Sequence, residues 1–437
     1  MCIFHISSNF RERLKAVLHG MPIRLLGLAL AVPSCYAANA PANSSANSPW
    51  VATWGAAMVA TQPDSTLDLS GQTLREIVHI SVGGEQMRVW FSNRFGTEPL
   101  LIGAAHVALS AGGSALQPGS DHALTFHRMA SITIPPGATI VSDPVAFQVP
   151  QFSNLAVSIY IPGHTMASTE HSAAKQYSYT MTGNVVDAPS LAATAPQVTA
   201  WYFLTGVDVY APGDSAVVAF GDSITDGAHS TLDENHRWPD YLATRLAANA
   251  KTRQAGVLGV ANAGIGGNRV LLDGYGPNAV SRVDRDILAR SGARYVIVLE
   301  SINDIGSYAR HHLPYDDLEQ RLEWGLSQVA IQARLHHLVV FGATLTPDQG
   351  SNYYSPEAEA VREKLNQWIR TSHVFDGVID FDLATRDPQH PQQYLPQYDA
   401  GDHIHPNDAG YQAMAQAIDL DLFLNTPPKN SEAVKKP

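Results

Sequence analysis

Val217-Val218-Ala219-Phe220-Gly221-Asp222-Ser223-Ile224-Thr225-Asp226-Gly227 is the stretch on which the reading of the chain turns. The apolar run Val217 to Phe220 suits a buried strand, and Gly221-Asp222-Ser223 brings a hydroxyl to the point where that strand ends. Apolar strand, tight turn and helix is how open α/β sheets present a reactive group at a strand's carboxyl edge. A serine hydroxyl is a weak nucleophile alone, so this reading needs a base, an orienting carboxylate and oxyanion donors elsewhere in the chain.

Outward from this stretch, strands and helices alternate. Apolar strand candidates fall at 216–220, 257–261, 295–299, 338–342 and 378–381, with helical patterns at 238–249, 278–289, 317–335, 356–370 and 407–422. The alternation predicts a three-layer α/β/α domain with a parallel sheet over residues 213–425. Upstream, from 49 to 212, the pattern changes to period two. Leu155, Val157, Ile159 and Ile161 alternate with Ala156, Ser158 and Tyr160. Short strands are expected at 131–134 and 145–149, and 74–82, Gly83-Gly84 and 85–92 read as a β-hairpin. This segment is expected to be a β-sandwich-like domain. Its aromatic residues Trp50, Trp54, Trp90 and Phe95 fit a sandwich core better than a sugar-stacking platform, and the sequence leaves open whether Asn93-Arg94, after a strand, reaches over the site.

Chemistry-bearing residues gather where the second-half strands end. After the first comes Ser223. After the second comes Asn262-Ala263-Gly264-Ile265-Gly266-Gly267-Asn268-Arg269, whose glycines let backbone N–H groups approach a ligand. After the third comes Ser301-Ile302-Asn303-Asp304, and after the fifth Asp402-His403-Ile404-His405-Pro406. The offset from Asp402 to His405 lets the carboxylate reach Nδ1 while Nε2 faces the serine. Each piece has an ordinary explanation alone: a turn, a buried amide, a helix start. The glycine run lacks the G-x-G-x-x-G spacing of a dinucleotide loop. His403 and His405 lack a third partner for a metal.

Taken together these blocks resemble the SGNH, or GDSL, hydrolase superfamily, a flavodoxin-like α/β/α fold named for its Ser, Gly, Asn and His. Gly221-Asp222-Ser223-Ile224, Asn262 to Asn268, Ser301-Ile302-Asn303-Asp304 and Asp402 to Pro406 carry the resemblance, over about residues 214–424. Arg237-Trp238-Pro239-Asp240 and Tyr353-Tyr354-Ser355-Pro356 look like the secreted arylesterase and acetylxylan-esterase branch. The resemblance implies a carboxylic ester hydrolase with the triad Ser223, His405 and Asp402. It also implies an oxyanion hole from Ser223, Gly267 and Asn303, and no metal or organic cofactor. Substrates would be short acyl or acetyl esters, including acylated carbohydrate. A lipase or lysophospholipase, an acyltransferase, and an impaired polysaccharide-binding homologue are the alternatives. One position departs from the pattern: the third block usually begins with glycine, and Ser301 would strain the turn if φ is positive there.

The bulk numbers limit the partners. With 28 basic against 40 acidic residues, a net charge of -12 argues against nucleic acid. Arg11, Arg13, Lys15 and Arg24, then the apolar 25–32, then Cys35-Tyr36-Ala37-Ala38-Asn39-Ala40, read as a signal peptide over 1–40 cut near Ala38–Ala40. Met21 begins a more compact version of the same signal. The apolar run is too short for a transmembrane anchor. Lipid attachment at Cys35 is the weaker alternative, and a secreted or periplasmic address the expectation. Residues 41–48 read as a linker and 426–437 as a frayed tail.

Overall fold

The parallel sheet has the strand order 2-1-3-4-5: Val257–Gly264, Ser215–Gly221, Ala293–Leu299, Val339–Ala343 and Gly377–Ile379. This is the flavodoxin order, in which the chain reverses direction beside the first strand and opens a crevice at the carboxyl ends. In this computed structural model residues 48–63, 66–311 and 313–425 are described. The expected signal peptide and tail, and the linker up to residue 47, lie outside them.

The three inner strands, Ser215–Gly221, Ala293–Leu299 and Val339–Ala343, are apolar runs buried over most of their length, as a parallel sheet between helices requires. The helices Trp238–Ala248, Leu318–Leu335 and Pro356–Thr371 stand within a residue or two of the expected positions. The last is capped by Ser355, whose hydroxyl accepts from Ala358 N–H, with Pro356 at the first helical position. The expected helix at 278–289 is instead a tight turn, Ala279–Arg282, followed by one wide turn, Asp284–Leu288. The distortion turns Arg282 into the protein interior, where its side chain is fully buried. Wide turns of this kind are frequent at functional sites.

The first half is antiparallel. One sheet holds Trp50–Gly55, Leu204–Tyr210, Gly84–Ser92 and Thr139–Val141, with Val145–Val149 also on Gly84–Ser92. A second is built around Gln72–His79, Asn154–Ile161 and Ala104–Gly112. Leu74, Val78, Val89, Phe91, Val157 and Ile159 share the core between them. The expected hairpin at Gly83-Gly84 does not form. Gln72–His79 and Gly84–Ser92 lie in different sheets, and neither glycine adopts the positive φ that a two-residue hairpin turn needs. Gly83 instead serves a crossing, since a Cβ there would strike the backbone of Val149 and Gln151.

Trp54 is buried edge-on to Trp201 at 4.9 Å, and the Trp90 indole donates to Asp208 at 2.7 Å, so both are structural. Asn93 does not reach over the active site; it is buried and donates to the carbonyls of Glu98 and Ile134.

The two halves pack as one unit. Ala52 N–H donates to Ser291 at 2.8 Å, and the Arg290 guanidinium donates to Ala56 and Thr205 carbonyls at 2.9 and 2.6 Å. A third small sheet, Val59–Ala60, Thr169–His171 and Trp201–Tyr202, lies beside the crevice of the parallel sheet. Among the described residues no helix is long and apolar enough to cross a membrane.

Candidate active site

Ser223 opens a single helical turn, Ser223–Asp226, directly after the first parallel strand. Asp222 caps this turn by accepting Ile224 N–H at 2.9 Å, and Gly227 closes it at φ 96°. Gly221 must be glycine because a Cβ there would run into Thr225 and the Leu299 carbonyl. The N–H of Ser223 is among the first of the helix, which have no intrahelical acceptor.

His405 brings Nε2 to 2.8 Å from Ser223 Oγ, and its Nδ1 lies 2.6 Å from Asp402 Oδ2. Asp402 Oδ1 also accepts the N–H groups of Ile404 and His405, which fixes the carboxylate. Burial pushes the His405 imidazole below the ordinary histidine value against the pull of Asp402, so it is neutral and able to accept a proton near pH 7. Burial works to raise Asp402, but the bonds from His405 outweigh it and hold the carboxyl below the usual range.

His403 turns away to Asp399 at 2.6 Å. The second histidine at the site is His229, which the sequence reading did not single out. Its Nε2 lies 3.1 Å from Asp402 Oδ2, and its ring centroid 5.3 Å from that of His405. His229, Asp402 and His405 offer ligand atoms within 4.8 Å of one another. Of these, His405 Nδ1 is already hydrogen-bonded to Asp402, and a metal on that nitrogen would displace the bond.

The second-strand loop turns at Ile265–Asn268, where Asn268 N–H donates to Ile265 at 3.0 Å. Gly267 sits at φ 73°, and a Cβ there would strike the Tyr275 ring. Asn303 follows the third strand. Its Nδ2 donates to the Asn268 carbonyl at 3.0 Å, and its Oδ1 accepts from Tyr353 at 3.0 Å. Tyr353 therefore fixes which end of the amide is the donor, leaving the second N–H of Nδ2 for a ligand. Ser301 has φ 112° and is fully buried, with its hydroxyl unpartnered. The positive φ foreseen at this position is present. The strain therefore sits two residues before Asn303.

Beneath these residues lies Arg282, which sequence reading missed. Its guanidinium donates to Asn268 Oδ1 (2.8 Å), the carbonyls of Ala263 (2.7 Å) and Gly221 (2.9 Å), Asp286 (3.2 Å) and Glu300 (3.1 Å). It also lies 3.8 Å from the centroid of Phe220. One buried cation thus ties together the ends of the first three strands. Asp222 and Asp304 lie close by. Burial pushes Asp222 up to about 7 and Asp304 to about 6, while Glu300 is raised well above the usual range.

The cavity at the carboxyl edge has a volume of about 440 Å³. Ser223, Gly267, Asn303 and His405 line it together with Tyr275, Tyr353 and Arg310. The antiparallel half supplies Val59, Gln62, Glu170 and His171 to the same wall.

Residues 219–413 match the GDSL-like Lipase/Acylhydrolase family. The chain carries a GDSL-like lipase/acylhydrolase domain. The GDSL-like domain makes the protein a carboxylic ester hydrolase. No curated protein matches the chain. Solved structures similar to it include an α/β hydrolase from the metagenome of Lake Arreo, 23% identical, covering 46% of this chain and 92% of its own, with a TM-score of 0.37. A catalytic mutant of an acetylxylan esterase from Geobacillus stearothermophilus is 20% identical, with coverage of 47% and 93% and a TM-score of 0.36. A GDSL-like lipase from Bacteroides thetaiotaomicron is 18% identical, with coverage of 48% and 88% and a TM-score of 0.34.

Proposed function

We propose that the GDSL-like domain hydrolyses short-chain carboxylic esters through Ser223, His405 and Asp402. The observation that carries this reading is the run of two short contacts, Ser223 Oγ to His405 Nε2 at 2.8 Å and His405 Nδ1 to Asp402 Oδ2 at 2.6 Å. In this reading His405 takes the Ser223 proton as the oxygen attacks the ester carbonyl, and Asp402 stabilises the imidazolium that forms. The N–H groups of Ser223 and Gly267 and the amide of Asn303 hold the oxyanion, each such donor contributing about 3 kcal/mol in the transition state. His405 then protonates the leaving alcohol, and water repeats the sequence on the acyl-enzyme. No step calls on a metal or an organic cofactor.

The cavity favours small acyl groups. Its apolar lining comes from Val59, Ala228 and Ile265, while Gln62, Glu170 and Arg310 make a polar wall suited to a hydroxylated alcohol such as a sugar. In the same proposal residues 1–40 export the chain, which N-terminal sequencing of the mature protein tests.

Ser223→Ala is expected to lower turnover of a p-nitrophenyl acetate by about 10⁴-fold or more, with an unchanged melting temperature. Fluorophosphonate labelling of the wild type, absent in the variant, is the parallel test. Undiminished turnover by the variant sinks the mechanism. Comparing acetylated xylan, acetylated monosaccharides and longer p-nitrophenyl esters then sets the substrate class.

A further inference from the structure

The antiparallel half sends a histidine into the back of the active site. His171 ends the strand Thr169–His171 and is 5% exposed. Its Nδ1 lies 2.9 Å from the Ala57 carbonyl oxygen and its Nε2 2.9 Å from Asp226 Oδ1. The other oxygen of Asp226 accepts the N–H of Gly266 at 3.1 Å. Gly266 immediately precedes Gly267, whose N–H is assigned to the oxyanion. A carbonyl and a carboxylate only accept, whereas a neutral imidazole carries one N–H. Both contacts of His171 are hydrogen bonds only if the ring is doubly protonated.

We propose that His171 is a positioning residue: as an imidazolium it locks Asp226, and through Asp226 it sets the Gly266–Gly267 backbone that receives the oxyanion. The inference rests on the esterase reading of Ser223 and gives the antiparallel half a catalytic purpose. Without His171, Asp226 would be a buried carboxylate free to turn away from Gly266.

The surroundings of His171 support the charged form. Asp226 faces it from the Ser223 turn, and Arg237 lies behind, its Nε donating to the Asp226 carbonyl at 2.9 Å. Glu170 precedes it on the same strand, and the Trp201 ring stacks on the imidazole at 5.4 Å. Burial works against the cation, as does Arg237, but Asp226 outweighs both and holds His171 above the ordinary histidine value. A raised histidine keeps its cation-dependent contacts below about pH 6.5 and loses them as the pH climbs through the raised value. His405 has the opposite requirement and the opposite shift. The two histidines would therefore bracket the working range, with His405 neutral above the acid limb and His171 charged below the alkaline one.

The test compares the full chain with His171→Gln, His171→Ala and Asp226→Asn on p-nitrophenyl acetate from pH 5 to 10. In all three variants kcat is expected to fall about 10- to 100-fold at pH 7, a fraction of what losing a whole oxyanion donor costs. KM should stay within about twofold, and the wild type's alkaline limb should disappear. His171→Gln with wild-type kcat and an intact alkaline limb overturns the proposal. So does a parallel loss of kcat, KM and melting temperature in both His171 variants. Histidine NMR in the Ser223→Ala protein reads His171 without turnover. Protons on both ring nitrogens at pH 7 support the device, and a neutral ring refutes it whatever becomes of the esterase reading.

Discussion

Two charged networks meet at Ser223, and they are built on opposite terms. The Asp402–His405 pair lies at the cavity mouth, with the Asp402 side chain 35% exposed. The Arg282 network below it is sealed, with the side chains of Arg282 and Glu300 both fully buried. A half-buried pair open to solvent on one side adds little to stability, but its proton can move. A sealed cation among carboxylates cannot exchange protons cheaply, and its energy is realised as fixed geometry. In the proposed mechanism the one network performs chemistry and the other holds the strand ends at which that chemistry happens. Removing a member of the first should change turnover and spare the fold. Removing a member of the second should damage the fold first.

Arg282→Met puts this contrast at greatest risk. It leaves Glu300 buried without its cation and takes one donor away from Asp286 and from the carbonyls of Gly221 and Ala263. Urea unfolding is expected to show a loss of about 3–5 kcal/mol, where Ser223→Ala shows almost none. A stability within about 1 kcal/mol of wild type would mean the hub does not hold the sheet edge.

Asn303 stands where the networks touch, bonded to Asn268, which Arg282 holds, and to Tyr353. Asn303→Ala is expected to lower kcat by about 10²- to 10³-fold with little change in KM. Tyr353→Phe removes only the bond that orients the amide, and its loss should be roughly tenfold smaller on the same scale. If both variants lose activity equally, Asn303 acts through Tyr353 and not on the oxyanion.

The networks should also answer pH with opposite slopes. His405 is pushed below the ordinary histidine value, so kcat/KM should rise through a pKa under about 6.5 and level off above it. Asp304 is raised to about 6 by burial. A raised carboxyl binds its proton more tightly in the folded state, so its contribution to stability is full below its unfolded value and lost as the pH rises through about 6. The stability of the wild type relative to Asp304→Asn should therefore decline between about pH 4 and 8, while activity climbs. A flat difference would place Asp304 in contact with solvent.

Much of this was legible in the chain. The five parallel strands were readable because each is a continuous apolar run bounded by helical patterns. The grouping of Ser223, His405 and Asp402 was readable because Asp402 and His405 are three residues apart and Ser223 follows a strand. What escaped detection depends on contacts between residues far apart in sequence. Arg282 sits in a segment with an ordinary helical pattern, and nothing local says that it points inward. Its signal was only indirect, an arginine flanked by Val283 and Ala279 on what reads as an apolar face. His171 and His229 lie in stretches without a motif, and they matter because folding brings them to Asp226 and Asp402. The false hairpin at Gly83-Gly84 has the same origin. Glycine marks a close backbone approach as readily as a turn, and only the partner strand tells them apart.

Ser301 carries the smallest expected effect and bears on both networks, because it links Glu300 of the sealed hub to Asn303 of the proposed oxyanion site. Its φ of 112° lies outside the left-handed region that residues with a Cβ tolerate, and its buried hydroxyl has no partner. Ser301→Gly removes the strain and the orphan hydroxyl, which together cost about 2 kcal/mol or more. The greater freedom of glycine in the unfolded chain returns roughly 0.5–1 kcal/mol of that. A net gain of about 1–2 kcal/mol is expected, measured by urea unfolding, with kcat changed by less than about threefold. Should the variant be less stable, the Ser301 hydroxyl must bond a buried water or Glu300. Should it be more stable but slower, the strain at Ser301 is itself what aims Asn303 at the oxyanion, and the strict division between holding and reacting fails at this residue.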